Sequence, residues 1–151
     1  AQMDRFMVQS RFGYVTPEEE RAILSDQIDT HPVDRLEPVI HRDDLVRMLD
    51  AARAVRISEE LRGYIVDIVS ATRGRADVQL AASPRASLAL MKMSQALSLF
   101  EGRDFVVPET IQTVAADVIA HRLVIAPEAK LSGVTGRRIV AGILEDVPVP
   151  V

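Results

Sequence analysis

The sequence predicts an all-α helical bundle with a short extended segment at its N-terminus. Hydrophobic residues make up 48% of the 151 residues, whereas aromatic residues make up only 4% and tryptophan is absent. A core of Leu, Ile, Val, Ala and Met favours packed helices over an aromatic-rich β-sandwich. Apolar residues also recur at three- and four-residue spacing in five or six segments, which is typical of a bundle.

The N-terminal region contains the extended segment, one helix and a connector. Residues 6–14 mix apolar and polar side chains and are expected to be extended. A capping box then predicts a helix that ends near Gln27, because Thr16 precedes Pro17 and Glu19 stands at the third helical position. Residues 29–40 hold two prolines and no clear period, which indicates a connector.

Five further helices are predicted, each with an apolar stripe. The first four begin near Arg42, Ser58, Ser83 and Pro108, and the last follows the glycines at 133 and 136. Gly102 is expected to end the fourth helix of the chain. The stripes are, in chain order, Leu45, Met48, Leu49 and Ala52; Leu61, Ile65, Ile68 and Val69; Leu90, Met93, Leu97 and Phe100; Ile111, Val114, Ala115, Val118 and Ile119; and Ile139, Val140, Ile143 and Leu144.

Composition argues against several classes of function. The net charge of −4 opposes a nucleic-acid-binding helical domain, which would carry a basic surface. The absence of cysteine excludes disulfides, thiolate zinc sites and thiol catalysis. No apolar run reaches the roughly 18 residues of a membrane helix, and no signal peptide is visible. We expect a cytoplasmic protein. The missing initiator methionine at Ala1 predicts a fragment of a longer chain.

Metal-dependent and nucleotide-hydrolysing sites are not predicted within this sequence. The nearest two of the three histidines, His31 and His41, are ten residues apart across a proline-containing connector, which is unlike a zinc site. The glycine-rich P-loop that cradles phosphates is absent, as is a strand that ends in paired acids for magnesium. The chain alone is therefore not expected to hydrolyse ATP.

The tripeptide Ser83-Pro84-Arg85 is the strongest candidate site. Ser83 is expected to cap a helix and Pro84 to occupy its first position, which places Arg85 beside the positive end of the helix dipole. That placement costs roughly 0.3–1 kcal/mol at an exposed site. Arg85 and the free backbone N–H groups of the first turn would form an anion site. The alternative is a surface arginine that pairs with a neighbouring carboxylate.

The tripeptide Asp4-Arg5-Phe6 is the second candidate. An arginine that is braced by Asp4 and anchored by Phe6 would be presented rigidly to the phosphate of a partner. The alternative is an ordinary salt bridge.

Several motifs then follow one another in a recognisable order. They are Asp4-Arg5-Phe6, Gly13-Tyr14, Glu18-Glu19-Glu20, Leu36-Glu37-Pro38-Val39, Thr72-Arg73, Ala82-Ser83-Pro84-Arg85-Ala86, Glu101-Gly102-Arg103-Asp104-Phe105-Val106 with Pro108, and His121-Arg122-Leu123. The series, from residue 2 to about 125, resembles the C-terminal half of MoxR-family AAA+ ATPases. Two positions depart from that pattern, since Ala81 replaces a usual glycine and Val15 a frequent proline.

The resemblance implies roles for both candidates. Arg5 would be an arginine finger that reaches the γ-phosphate of a neighbouring subunit in trans. Arg85 would be the sensor 2 residue of the lid, in contact with nucleotide of its own subunit, with Ser83 and Pro84 shaping its helix. ATP and Mg²⁺ would bind to the parent protein and not to the fragment alone. The parent would couple ATP hydrolysis to chaperone-like maturation or activation of other protein complexes.

The resemblance also implies partners and a division of the chain. Partners would be the protein's own ATPase core, neighbouring subunits of a homo-oligomeric ring and a client complex, with a von Willebrand A-domain protein as a further candidate. No nucleic acid and no membrane span are expected. Residues 1–15 would end the ATPase core, 16–40 form a helix and connector, 41–147 the lid and 148–151 a tail. The alternative function is a non-catalytic helical protein-interaction module.

Overall fold

The computed structural model describes residues 3–28 and 31–150, which form seven α-helices and one small sheet. The helices are α1 (Pro17–Asp26), α2 (Arg42–Ala54), α3 (Glu59–Ala71), α4 (Pro84–Phe100), α5 (Pro108–Ile119), α6 (Pro127–Leu131) and α7 (Gly136–Asp146). The all-α prediction is confirmed, and none of these helices has the length and apolar character to cross a bilayer. Residues 6–14, where an extended segment was expected, form no regular strand.

The sheet consists of two short antiparallel strands that the sequence pattern did not indicate. β1 (Val78–Leu80) pairs with β2 (Val124–Ile125), so that Val78 lies opposite Ile125 and Leu80 opposite Val124. These strands have only three and two residues, too few to show an alternating pattern. Their pairing joins the segment before α4 to the segment after α5.

The described chain divides into two compact units. Residues Ser10–Met48 form the smaller unit, which contains α1 and the first part of α2. The predicted capping box of α1 is present: the Glu19 carboxylate accepts from the Thr16 N–H at 2.7 Å, and the Thr16 hydroxyl accepts from the Glu19 N–H at 3.3 Å. Along α2 the predicted apolar stripe is largely exposed, with Leu45 at 49% and Met48 at 54%.

The larger unit contains the remaining described residues and holds the hydrophobic core. The stripes predicted for α3 and α5 are buried along their whole lengths. On α7 Ile139, Val140 and Ile143 are buried, and Leu144 is partly buried. The periodicity of apolar residues therefore identified the inward faces of these three helices.

The prediction for the inward face of α4 is wrong at Phe100. That side chain is 92% exposed, whereas Ser94 and Ser98 are fully buried. The small side chains allow α4 to pack closely against α5 and α3, and the Ser94 hydroxyl donates to the Leu90 carbonyl at 2.8 Å. This internal hydrogen bond offsets the cost of burying the Ser94 hydroxyl.

Glycines occupy two helix ends in the larger unit. Gly102 has a φ of +74° and ends α4 as predicted, a conformation that suits glycine. At the start of α7, a Cβ on Gly136 would lie 2.6 Å from the carbonyl oxygen of Ala120. Gly136 therefore permits α7 to pack against the 3₁₀ turn Ala120–Arg122.

Candidate functional site

The candidate site is built on the N-terminus of α4, which begins as predicted. Ser83 is the N-cap and its hydroxyl oxygen accepts from the Arg85 N–H at 3.2 Å, while Pro84 occupies the first helical position. The Ala86 N–H donates to the Ser83 carbonyl at 2.8 Å. The Arg85 side chain is 67% exposed. This local geometry holds the backbone of Arg85 while leaving its guanidinium accessible.

The segment that enters α4 is also held in place. The buried Thr72 hydroxyl donates to the Val69 carbonyl at 2.6 Å and accepts from the Ala82 N–H at 3.2 Å. Among the described residues no residue other than glycine has a positive φ, so Ala81 is not strained in the place of the usual glycine. The chain therefore reaches the Ser83 cap in an ordinary backbone conformation.

Asp4 lies beside this helix start. It belongs to a 3₁₀ turn, Met3–Arg5, and its side chain is 25% exposed. Its carboxylate accepts from the Ser83 hydroxyl at 3.1 Å and from Arg122 at 2.8 Å, and it lies 3.8 Å from the guanidinium of Arg85. The acid was expected to brace Arg5, but within the described residues its ion pairs are with Arg85 and Arg122.

Arg122 is the residue that sequence reasoning missed. Its side chain is only 2% exposed, and its Nε donates to the Val118 carbonyl at 2.8 Å. Its two terminal nitrogens donate to the carbonyl oxygens of Asp4 and Phe6, each at 2.7 Å. A signal was present: Arg122 follows Val118 by four residues and so lies on the buried face that continues from α5.

These contacts determine the charge state of Asp4. Burial alone would raise its pKa, but the hydrogen bonds from Arg122 and Ser83 and the charges of Arg122 and Arg85 outweigh that effect. The pKa of Asp4 therefore lies below its ordinary value, and the carboxylate remains ionised at neutral pH. Its negative charge is already paired with the buried guanidinium of Arg122.

An open pocket of about 360 Å³ adjoins these residues. Its lining consists of Asp4, Arg5, Met7, Arg85, Leu88, Ala89, Lys92 and Arg122. Four of these side chains are cationic and only Asp4 is anionic, so the pocket has an excess of positive charge. Arg5, Arg85 and Lys92 are exposed, and they would attract an anion.

The structure thus brings the sequence-predicted residues together in one place. Arg5 and Arg85 line the same pocket, while Ser83 and Pro84 form the start of the helix that carries Arg85. Phe6 was expected to anchor Arg5, but its side chain is 61% exposed, and it is the Phe6 carbonyl that is held. The alternative prediction for Arg85, a pair with a carboxylate, is also present as the 3.8 Å contact with Asp4.

The histidines have local roles in the described structure. The Nδ1 atom of His31 accepts from the Val33 N–H, and the His41 N–H donates to the Asp44 carboxylate. His121 places Nε2 3.0 Å from the Phe6 carbonyl, beside Arg122. Among the residues that the structure describes, no group of three or more His, Asp or Glu side chains is arranged to hold a metal ion.

Comparison with known proteins places this site in context. Residues 70–143 match the AAA lid domain family, a range that includes Ser83, Arg85 and Arg122. The chain is 43% identical to the uncharacterized protein YeaC of Bacillus subtilis, over the whole chain and 47% of that protein. It is 34% identical to the chaperone MoxR1 of Mycobacterium tuberculosis, over 99% of the chain and 42% of that protein.

A solved structure shows the same architecture. The crystal structure of a candidate ATPase from Cytophaga hutchinsonii superposes with a TM-score of 0.83 at 28% sequence identity. The match covers 99% of this chain and 48% of the solved one. The chain therefore spans less than half the length of these three relatives.

Proposed function

Because this chain belongs to the MoxR family of AAA+ proteins, we propose that it works as the sensor 2 lid of an AAA+ ATPase. In this proposal, the lid supplies arginines to the phosphates of bound ATP and couples hydrolysis to movement. The observation that carries the proposal is the cationic pocket at the start of α4. Three of its cations are exposed, whereas its one acid is already paired with a buried arginine.

In this proposal, side chains at the start of α4 contact the phosphate, and the backbone N–H groups do not. Pro84 has no N–H, the Arg85 N–H donates to the Ser83 hydroxyl, and the Ala86 N–H donates to the Ser83 carbonyl. The expectation that free N–H groups of the first turn help to bind an anion therefore does not hold for these positions. The guanidinium of Arg85 suits the task because it offers several donors in a planar fork.

The shared pocket bears on which nucleotide each arginine would contact. The family resemblance assigns Arg85 to the nucleotide of its own subunit and Arg5 to that of a neighbour. Since both side chains line one pocket, the geometry favours a single phosphate group as the target of both. Two cations that converge on a transferred phosphoryl group would stabilise the negative charge of its transition state.

ATP and Mg²⁺ are expected to bind mainly to an AAA+ core that lies outside this chain. The donors of the pocket fit a polyphosphate, because three of its exposed side chains are cations. Mg²⁺ would neutralise charge on the phosphates when it is bound. The contribution of this chain is to orient the cations that line the pocket.

A chaperone-like role is the second part of the proposal. It is supported by the relative from Mycobacterium tuberculosis, which is named a chaperone. A ring of identical subunits, a client protein complex and a von Willebrand A-domain partner belong to the same hypothesis. Co-purification of the full-length protein with its client, with and without ATP, would test this part directly.

The sensor assignment is tested by ATP turnover in the full-length protein. Arg85→Ala should lower kcat roughly a hundredfold, as the loss of one charge-stabilising donor does in other enzymes. Arg138→Ala is a matched control, because Arg138 also stands in the first turn of a helix whose cap, Thr135, accepts from its N–H. Unchanged turnover in Arg85→Ala would contradict the assignment and favour the non-catalytic interaction module.

Mixed rings separate action in cis from action in trans. Arg5→Ala subunits would be combined with subunits that cannot bind ATP but keep both arginines. If Arg5 acts on a neighbour, the mixture regains turnover that neither preparation has alone. The same mixture with Arg85→Ala regains turnover only if Arg85 also acts in trans, as a phosphate shared by both arginines requires.

A further inference from the structure

The buried guanidinium of Arg122 fixes the backbone on both sides of Arg5. Three of its four hydrogen bonds go to the N-terminal segment: to the Asp4 carbonyl, the Asp4 carboxylate and the Phe6 carbonyl. Asp4 and Phe6 are the two immediate neighbours of Arg5 in the chain. Arg122 therefore determines the direction in which the Arg5 side chain projects from the backbone.

The Asp4 carboxylate also orients the hydroxyl of Ser83, the N-cap of the helix that carries Arg85. A serine hydroxyl has one proton to donate, and Ser83 gives it to Asp4 at 3.1 Å. The lone pairs of that oxygen then remain to accept the Arg85 N–H at 3.2 Å. A continuous chain of hydrogen bonds thus runs from Arg122 through Asp4 and Ser83 to the backbone of Arg85.

From this geometry we infer that Arg122 and Asp4 are positioning residues that hold Arg5 and Arg85 as one unit. Arg122 is too deeply buried to reach a phosphate itself, and Asp4 would repel one. Their function is to fix where the two exposed cations stand relative to each other. The inference rests on the proposed function, since it assumes that Arg5 and Arg85 act on phosphate.

Removal of the charge of Asp4 should uncouple the two cations. Asp4→Asn keeps the shape of the side chain but leaves Arg85 and Arg122 without a shared anion. Arg122→Lys keeps the positive charge, yet the single nitrogen of lysine cannot span the carbonyls of Val118, Asp4 and Phe6. Both variants are expected to shift Arg5 and Arg85 while leaving these two side chains in the chain.

The test is a double-mutant cycle on the ATP turnover of the full-length protein. Asp4→Asn and Arg122→Lys should each lower kcat about tenfold, an effect within the usual range for coupled residues. In an Arg85→Ala background, Asp4→Asn should lower kcat by clearly less than it does in the unmodified protein, because only Arg5 is then left to be displaced. A purely structural role would give the same loss in both backgrounds.

Asp77→Asn is the matched control. Asp77 is as exposed as Asp4, at 24% against 25%, and also pairs with an arginine, but it lies outside the cationic pocket. It should leave kcat within twofold of the unmodified protein. Equal losses for Asp77→Asn and Asp4→Asn, or equal losses for Asp4→Asn in both backgrounds, would overturn the inference.

Failure of this inference is distinct from failure of the proposed function. If Arg85→Ala and Arg5→Ala lower turnover but Asp4→Asn and Arg122→Lys do not, the sensor assignment stands and the positioning role is wrong. If none of the four changes affects turnover, the proposed function itself is wrong. Far-ultraviolet circular dichroism of each variant confirms that the helices are retained.

Discussion

Two arginine–aspartate pairs in the larger unit have different positions and different consequences. Arg75 and Asp77 are two residues apart and bond through two parallel contacts of 2.9 and 3.0 Å, with 32% and 24% of their side chains exposed. Arg122 and Asp4 are 118 residues apart, and the arginine is 2% exposed. The first pair stabilises one loop, whereas the second joins the N-terminal segment to the lid.

The difference shows that burial and chain separation, rather than residue type, decide what a salt bridge does. A partly exposed pair gains little, because water already solvates both charges. A buried arginine must keep its partners, because an unpaired buried charge is costly. The Arg122 pair is therefore expected to be both a structural requirement and, in our proposal, a positioning device.

The largest predicted effect comes from removal of the arginine in each pair. Arg122→Met should lower the free energy of unfolding by about 3 kcal/mol, since it removes the guanidinium donors from the Asp4 carboxylate and from the carbonyls of Val118, Asp4 and Phe6. Arg75→Met should cost at most about 1 kcal/mol, as expected for a pair in which both side chains keep partial access to water. Urea denaturation followed by circular dichroism measures both. Equal losses would remove the distinction between the pairs.

A smaller loss of stability is predicted for a substitution that displaces the turn Ala120–Arg122 without changing Arg122 itself. Gly136→Ala places a Cβ 2.6 Å from the Ala120 carbonyl, at the start of that turn. Such overpacking should destabilise the protein by about 2 kcal/mol. Gly63→Ala is the control: it lies within α3 with open space around it, so alanine should stabilise by about 0.5–1 kcal/mol.

Comparison of the melting temperatures of the two glycine variants tests this prediction. A loss of stability in both would indicate that the contact with Ala120 is not the cause. A stable Gly136→Ala would show that the Ala120–Arg122 turn can shift freely, and it would weaken the positioning argument.

The smallest predicted effect is a dependence on pH in the acidic range. Both carboxylates have a lowered pKa: that of Asp77 through hydrogen bonds from Arg75, and that of Asp4 because its arginine and serine partners outweigh its burial. A lowered pKa in the folded state contributes stability that is complete above the unfolded value of about 4. This stability is lost as the pH falls through the folded pKa.

The pH profile of unfolding checks that sign. Asp4→Asn and Asp77→Asn should each flatten the decline of stability below about pH 4, and neither should alter the slope near neutrality. If the free energy of unfolding of a variant declined more steeply in acid, the pairing would have been assigned to the wrong carboxylate.

Much of the fold could be predicted because helix ends are decided locally. The cap at Thr16, the cap at Ser83 and the stop at Gly102 all act within four residues of themselves, so a short stretch of sequence contains the whole cause. The stripe of α4 was misjudged because large side chains were assumed to face inward. The buried face of α4 instead includes the small side chains of Ser94 and Ser98.

The sequence by itself determined that this chain is helical, where Arg85 stands in its helix, and to which family it is related. Those properties depend on neighbours in the chain and on the order of short motifs. Only the tertiary structure decided that Arg5 and Arg85 share a pocket and that Arg122 and Asp4 connect them. The reason is physical: a hydrogen bond between residues 118 apart depends on how α5 and the N-terminal turn pack, and no local spacing encodes that contact.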